Sequence, residues 1–409
     1  MKKYLLAGVL LVFSFLMNGC GEKTFLPERK ELVDLELIEA VGIDKSPDNP
    51  EDIRVTITSK MDKQGAGAGR MEATGQAAQG GGAVVVSSEG KTVSEAARIF
   101  QTYNKKQVFW GYADFFIIGE EAAREDLIKY LDLLSRGQAL RHNARIFIVK
   151  DATAEELLAI SKTGALYVPQ LLNILLSSTG LMSVFGRLEL IELMGRLDDE
   201  YSDVIIPALR IAQKDPIGQK KDESDEIEIR LEGYAVFKDA KLIAFADKPE
   251  SMGINFITNK VKSGVVNVKD STDREVALEI IKANTKIIPR FDGDTVSVLV
   301  KAAVESNVAE MHSTIDIFNK DELEKLEEQQ AAAVKQYMET AVKLAQINNT
   351  DILDIADRIY HKHPVKWQSL KGRWKEIFPN IRFDFEVASA VKRTYDIRQP
   401  NKYKAGEGE

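Results

Sequence analysis

A single cysteine constrains this chain more than any other feature. Cys20 is the one thiol in 409 residues, so no internal disulfide can hold the fold together. The core must therefore come from apolar burial. About 390 residues follow the segment that ends at Cys20, enough for two or three domains of ordinary size. At 44% hydrophobic and 29% charged residues, the composition is that of a globular chain.

The position of Cys20 gives it a use. Met1-Lys2-Lys3 is a positive start, Tyr4 to Met17 is apolar apart from Gly8 and Ser14, and Gly19 is a small residue before the thiol. These are the three parts of a signal peptide, and the apolar run falls short of the roughly 20 residues a spanning helix needs. Met17-Asn18-Gly19-Cys20 resembles a lipobox. The expectation is a leader over residues 1–19, cleavage after Gly19, and Cys20 carrying S-diacylglycerol and an N-palmitoyl group. Residues 20–30 then form a polar tether. Loss of Lys2 and Lys3 takes the formal charge from −8 to −10. Such a chain lacks the basic excess of a nucleic-acid binder, and its net charge does not hold it to anionic lipid. The acyl chains have to do the anchoring.

Beyond the tether, strand and helix periods alternate. Leu32, Leu35 and Ile38 fit a short helix, Ala40 to Ile43 starts a strand, and Ile53 to Thr58 alternates with period two. Residues 64–82 hold seven glycines and read as a flexible loop rather than a phosphate cradle, because the glycine spacing is too tight and Met71 to Gln79 continues polar and small where a helix is needed. Thr92 to Thr102, Glu121 to Ser135 and Thr153 to Lys162 read as helices, the last with Thr153 and Glu156 spaced as a capping box. Strands at residues 108–110, 115–119 and 144–149 lie between them. This order makes residues 31–200 an α/β unit. Residues 201–272 read as a β-rich middle unit, with a hairpin crossing at Lys238-Asp239-Ala240 and a short helix over Pro249 to Lys260. Residues 273–398 read as an α+β unit. It has strands at 276–280, 287–291 and 296–304, with a turn at Asp292-Gly293-Asp294. A long helix follows, roughly Lys320 to Ile347, with its stripe at Leu323, Leu326, Val334, Met338, Ala341 and Ala345. Asp351 to His361 reads as a second helix and residues 381–391 as a last strand. Residues 399–409 read as a disordered tail. The fold class is α+β: three domains, each a mostly antiparallel or mixed sheet flanked by helices.

Chemistry is sparse. The sequence has no HExxH, no GxSxG elbow and no Walker loop. His361 and His363 are two apart and fall on different helix faces, and His142 and His312 stand alone. No catalytic residue, metal site or cofactor is expected, and the chain reads as a non-enzyme. Two aromatic clusters remain, Phe109-Trp110-Gly111-Tyr112 and Trp367, Trp374 and Phe378. Core packing is their ordinary role. The alternative is a partner-protein surface at Trp110, Tyr112, Trp367 and Trp374.

Four segments in order carry a family resemblance: residues 31–45 (ELVDLELIEAVGIDK) behind the lipobox, 108–136 (VFWGYADFFIIGEEAAREDLIKYLDLLSR), 232–266 (EGYAVFKDAKLIAFADKPESMGINFITNKVKSGVV) and 364–394 (PVKWQSLKGRWKEIFPNIRFDFEVASAVKRT). Together they resemble the Ger(x)C family, the lipoprotein C subunit of bacterial spore germinant receptors. The resemblance implies a three-domain α+β protein with Cys20 as its acylated residue, on the outer face of the cell or spore inner membrane. It implies assembly with integral-membrane A-type and B-type receptor subunits and a part in nutrient-triggered germination. A solute-binding lipoprotein that captures a small-molecule germinant or other nutrient directly is the other reading of an anchored, motif-free chain.

Overall fold

Apolar strands that alternate with amphipathic helices need a sheet with helices on both faces. The computed structural model has one. It describes residues 34–60, 83–136, 140–163, 166–177, 183–184, 186–199, 201–213, 227–293, 295–311 and 319–393. The leader, Gly19, Cys20, the tether, the glycine-rich stretch 64–82, His312 and the tail 399–409 lie outside these residues.

In chain order the first strands are β1 (Leu35–Leu37), β2 (Ala40–Lys45), β3 (Ile53–Lys60) and β4 (Ala83–Gly90). Helix α1 (Val93–Tyr103), β5 (Gln107–Phe109), a 3-10 turn over Trp110–Tyr112 and β6 (Phe115–Gly119) follow. Then come α2 (Glu120–Glu125), α3 (Leu127–Arg136), β7 (Arg145–Lys150), α4 (Ala154–Ala159), α5 (Val168–Ser177) and α6 (Leu190–Leu197). Residues 35–37 were expected on a helix, yet β1 pairs in parallel with β5, Leu37 opposite Phe109. A partner some seventy residues away overrides the local period there. The helix expected over 121–135 breaks at Asp126, whose φ of −169° is extended backbone.

The chain continues through β8 (Ile205–Gln213), β9 (Ile227–Lys238), β10 (Lys241–Ala246) and α7 (Lys248–Ile257). Its last part is β11 (Gly264–Lys269), β12 (Glu275–Asp292), β13 (Thr295–Met311), α8 (Lys320–Ile347), α9 (Ile355–Lys362), α10 (Pro364–Leu370), α11 (Trp374–Ile377) and β14 (Arg382–Arg393).

Two large sheets result. The first has eight strands in the order β10-β9-β8-β7-β6-β2-β3-β4, parallel at its centre and antiparallel at both sides. The sheet runs unbroken past residue 200. Residues 201–272 add β8, β9 and β10 to it and give β11 to the second sheet, so they form no sheet of their own. Strand β6 explains the layering. Phe116 and Ile118 face a core shared with α1, α3 and α6, while Phe115 and Ile117 face one shared with α4 and α5. A central parallel strand buried on both faces is apolar at every position.

The second sheet, β11-β12-β13-β14, packs its apolar face on α7 and α8. The β12–β13 hairpin turns at Gly293, whose φ of +54° suits glycine. Residues 281–286 stay in β12, because a bulge between Ile280 and Lys282 shifts the register and lets the strand continue. On α8 the buried stripe runs Leu326, Gln330, Val334, Met338, Ala341 and Ala345, with Leu323 half-buried. Gln330 belongs in that stripe because its amide donates to Ser306 Oγ at 2.6 Å and accepts from Ser389 Oγ at 2.7 Å. No described helix is long and apolar enough to cross a membrane.

Candidate functional site

The two helical and sheet layers meet along a polar seam that is built from helix ends. Asp351 precedes α9, and its carboxylate accepts from the N–H groups of Ile355 (3.0 Å) and Ala356 (2.7 Å). This satisfies two of the donors a helix start leaves bare. The same carboxylate accepts from Trp374 Nε1 at 3.2 Å. Across the seam, the Asp351 N–H donates to Asp203 Oδ2 at 2.7 Å. Arg196, at the end of α6, pairs with Asp354 at 3.2 Å, and Lys375 pairs with Asp239 at 2.9 Å. Lys238 Nζ reaches the Asn348 carbonyl at 3.5 Å.

Burial governs the electrostatics. It pushes the Asp351 carboxyl up to about 7, against the lowering pull of the Ala356 and Ile355 N–H groups. It likewise pushes Asp203 up to about 6, offset by the Asp351 N–H. A cleft of about 880 Å³ opens beside these groups, lined among others by Arg196, Tyr201, Asp203, Asp239, Lys371 and Lys375. Of the carboxylates that line it, Asp351 caps α9, Asp203 and Asp239 bond across the seam, Asp199 accepts from the nearby Tyr201 N–H and Ser202 Oγ, and Glu376 also faces the cleft, so three of the five hold two units in register. Among the described residues no three His, Cys, Asp or Glu side chains gather as a metal site.

The four aromatics singled out in the sequence part company. Trp367 is 2% exposed and Trp374 4%, so neither lines a partner surface. They meet edge to face at 5.2 Å inside the core, with Tyr201 beside Trp367 at 5.0 Å and Phe378 beside Trp374 at 6.0 Å. Their physical role is to fill the space beneath Asp351. Trp110 is half-buried against Phe100 at 6.2 Å. Tyr112 is open to solvent, beneath the Arg141 guanidinium at 5.6 Å.

Comparison with known proteins decides the family. Residues 28–211 match the model for the spore germination protein N-terminal domain, and residues 232–395 match that for the spore germination B3/GerAC-like C-terminal domain. The chain belongs to the Ger(x)C family. It is similar to spore germination protein KC of Bacillus subtilis (strain 168), 24% identical over 98% of each chain. It is also similar to the putative spore germination protein YfkR of the same organism, 21% identical over 93% of this chain and 94% of the relative. The crystal structure of the GerBC protein shares the fold with a TM-score of 0.53 at 15% identity, over 86% of this chain and 96% of that one. In this Ger(x)C chain the two matched segments meet inside one sheet, since 211 falls in β8 and 232 in the neighbouring β9.

The residues that reading the sequence missed are Asp203, Asp239, Asp351 and Arg196. One local signal was available for Asp351, an aspartate four residues ahead of Ile355 at a helix start. No local signal marks its bond to Asp203, because the partners lie 148 residues apart.

Proposed function

We propose that this Ger(x)C chain is the membrane-anchored lipoprotein subunit of a spore germinant receptor. It would be held through Cys20 to the outer face of the inner membrane and assembled with the integral-membrane A-type and B-type subunits. The observation that carries the reading is the pair of family segments covering residues 28–211 and 232–395, together with relatives named as spore germination proteins. The lone thiol of Cys20 behind an apolar leader supports the anchor. A body built on a cross-seam bond network, with Asp351 used as a cap and Asp203 and Asp239 as cross-seam partners, suits assembly and scaffolding. Deletion of the gene in the native host tests it. The reading expects spores that lose response to one class of nutrient and recover it on complementation, and it expects the chain to co-purify with membrane-embedded receptor subunits. Normal germination toward every nutrient would contradict it.

One observation favours a second reading. The 880 Å³ cleft is of a size that holds a small polar molecule, and cations and carboxylates both line it. A rise in Tm of the purified protein with an amino acid or sugar would support direct capture of a nutrient.

A further inference from the structure

One end of the eight-stranded sheet gathers features that the seam does not use. The parallel strands β2, β6 and β7 all begin there, and β1 and β5 extend beyond them. The described chain starts at this end, with Asp34 beside β1. Thirteen residues lie between Cys20 and Asp34, a span of at most about 50 Å when fully extended. An anchor at Cys20 therefore lets this end of the sheet reach the bilayer.

The run from Tyr103 to Tyr112 reads YNKKQVFWGY: four aromatics, two lysines and no carboxylate, in a chain with 63 acidic residues. Two of its aromatics are open at this end, Phe109 at 42% and Tyr112 at 41% exposure, with Lys105 exposed beside them, while Tyr103 donates its hydroxyl to the Ser87 carbonyl at 3.3 Å, midway along β4. Phe100 backs the group from the core, 6.2 Å from both the Tyr103 and Trp110 rings. Arg141 lies over Tyr112 and neutralises the adjacent Asp114 at 2.7 Å. Tyrosine and tryptophan beside cations is the composition that settles at a membrane–water interface. The opposite end of the sheet is acidic. There Arg54 holds Asp48, Glu89 and Glu155, Arg124 holds Glu120, and Asp44 and Glu51 stand nearby, with Lys45 and Lys150 at the same end. Asp34, Glu36 and Glu39 stand at the first end as well, so the attraction of an anionic bilayer falls on the carboxylate-free run and its exposed lysine.

We propose that the surface run Lys105–Tyr112 is a bilayer contact, with Phe109 and Tyr112 at headgroup level and Lys105 toward anionic lipid. The contact rests on the anchor at Cys20 and adds orientation to it. The acyl chains supply the hold, and the aromatic run turns the seam and the second sheet away from the membrane, toward the surroundings.

The test uses full-length acylated protein, in which lipid blocks Cys20 and a new thiol takes label alone. Phe109→Cys, Lys105→Cys and Glu51→Cys forms each carry an environment-sensitive fluorophore, in vesicles of phosphatidylcholine with phosphatidylglycerol. Flotation reads the anchor separately from the contact. The proposal expects all three proteins to float, with a blue-shifted, lipid-quenched probe at 109 and 105 and a water-like probe at 51. Flotation with water-like probes at 109 and 105 overturns the contact and leaves the anchor standing. Failure to float overturns the anchor and the contact with it. A probe at 109 that turns apolar only when membrane-embedded receptor subunits are reconstituted overturns the contact in favour of a protein partner.

Discussion

The backbone N–H of Asp351 donates to the carboxylate of Asp203 at 2.7 Å, joining the start of α9 to the strand entry at β8. Asp351 in turn accepts three hydrogen bonds, so one residue serves the helix cap, the tryptophan core and the seam. Asp351→Ala removes the cap and leaves the buried Trp374 N–H without its acceptor. The expected loss is about 2 kcal/mol or more, read as a lower urea midpoint at unchanged slope. A midpoint within error of the parent would contradict this role.

The same geometry sets a pH dependence. Asp44, Asp203 and Asp351 stand at about 6, 6 and 7 against an ordinary 3.8, with burial the leading cause in each. Their folded values lie above the unfolded one, so the folded chain keeps protons that the unfolded chain has released. The stabilisation is complete below roughly pH 4 and is lost as the pH rises through about 6 to 7. Urea unfolding should therefore give a higher midpoint at pH 5.5 than at pH 8. Asp351→Asn, which cannot titrate, should flatten that slope. A midpoint that climbs from pH 5.5 to 8, or equal slopes in the two proteins, would count against the assignment.

Helices α7 and α8 touch backbone to side at Gly253, where an added Cβ would run into the Tyr337 carbonyl and the Ala341 side chain. Gly253→Ala forces the helices apart, and overpacking of this kind costs about 1–3 kcal/mol. A thermal scan should show a clearly lower Tm. An unchanged or raised Tm would mean the helices are not packed this closely.

The aromatic assignments separate by the same measurement. Trp367 is enclosed between Tyr201 and Trp374, so Trp367→Ala should cost about 3–5 kcal/mol. Tyr112 is exposed, so Tyr112→Ala should stay within about 0.5 kcal/mol of the parent. Similar costs for the two would undo the distinction between core and surface.

What could be read from the sequence was what a few neighbouring residues decide. The capping box at Thr153 and Glu156 is present, helix α8 spans Lys320–Ile347, and the hairpin crosses at Asp239 and Ala240, both with positive φ. What escaped depends on distant partners. Leu35–Leu37 becomes a strand because β5 is beside it, and β14 runs parallel to β13, which no alternation pattern reveals. The sheet continues past residue 200 because β8 pairs with β7, and a change in composition cannot announce that pairing. At the candidate site the aromatic residue types were visible, but their burial was not. Trp367 and Tyr112 look alike in sequence and differ only in what packs over them.

The central claim is that Cys20 holds this body at a membrane where it serves germination. Replacing Cys20 with Ala in the native host, and following the protein by fractionation together with palmitate labelling and the germination response, tests it most directly. The account predicts an unlabelled protein, lost from the membrane fraction, in spores with an impaired nutrient response. A Cys20→Ala protein that stays with the membrane in spores that germinate normally would contradict it.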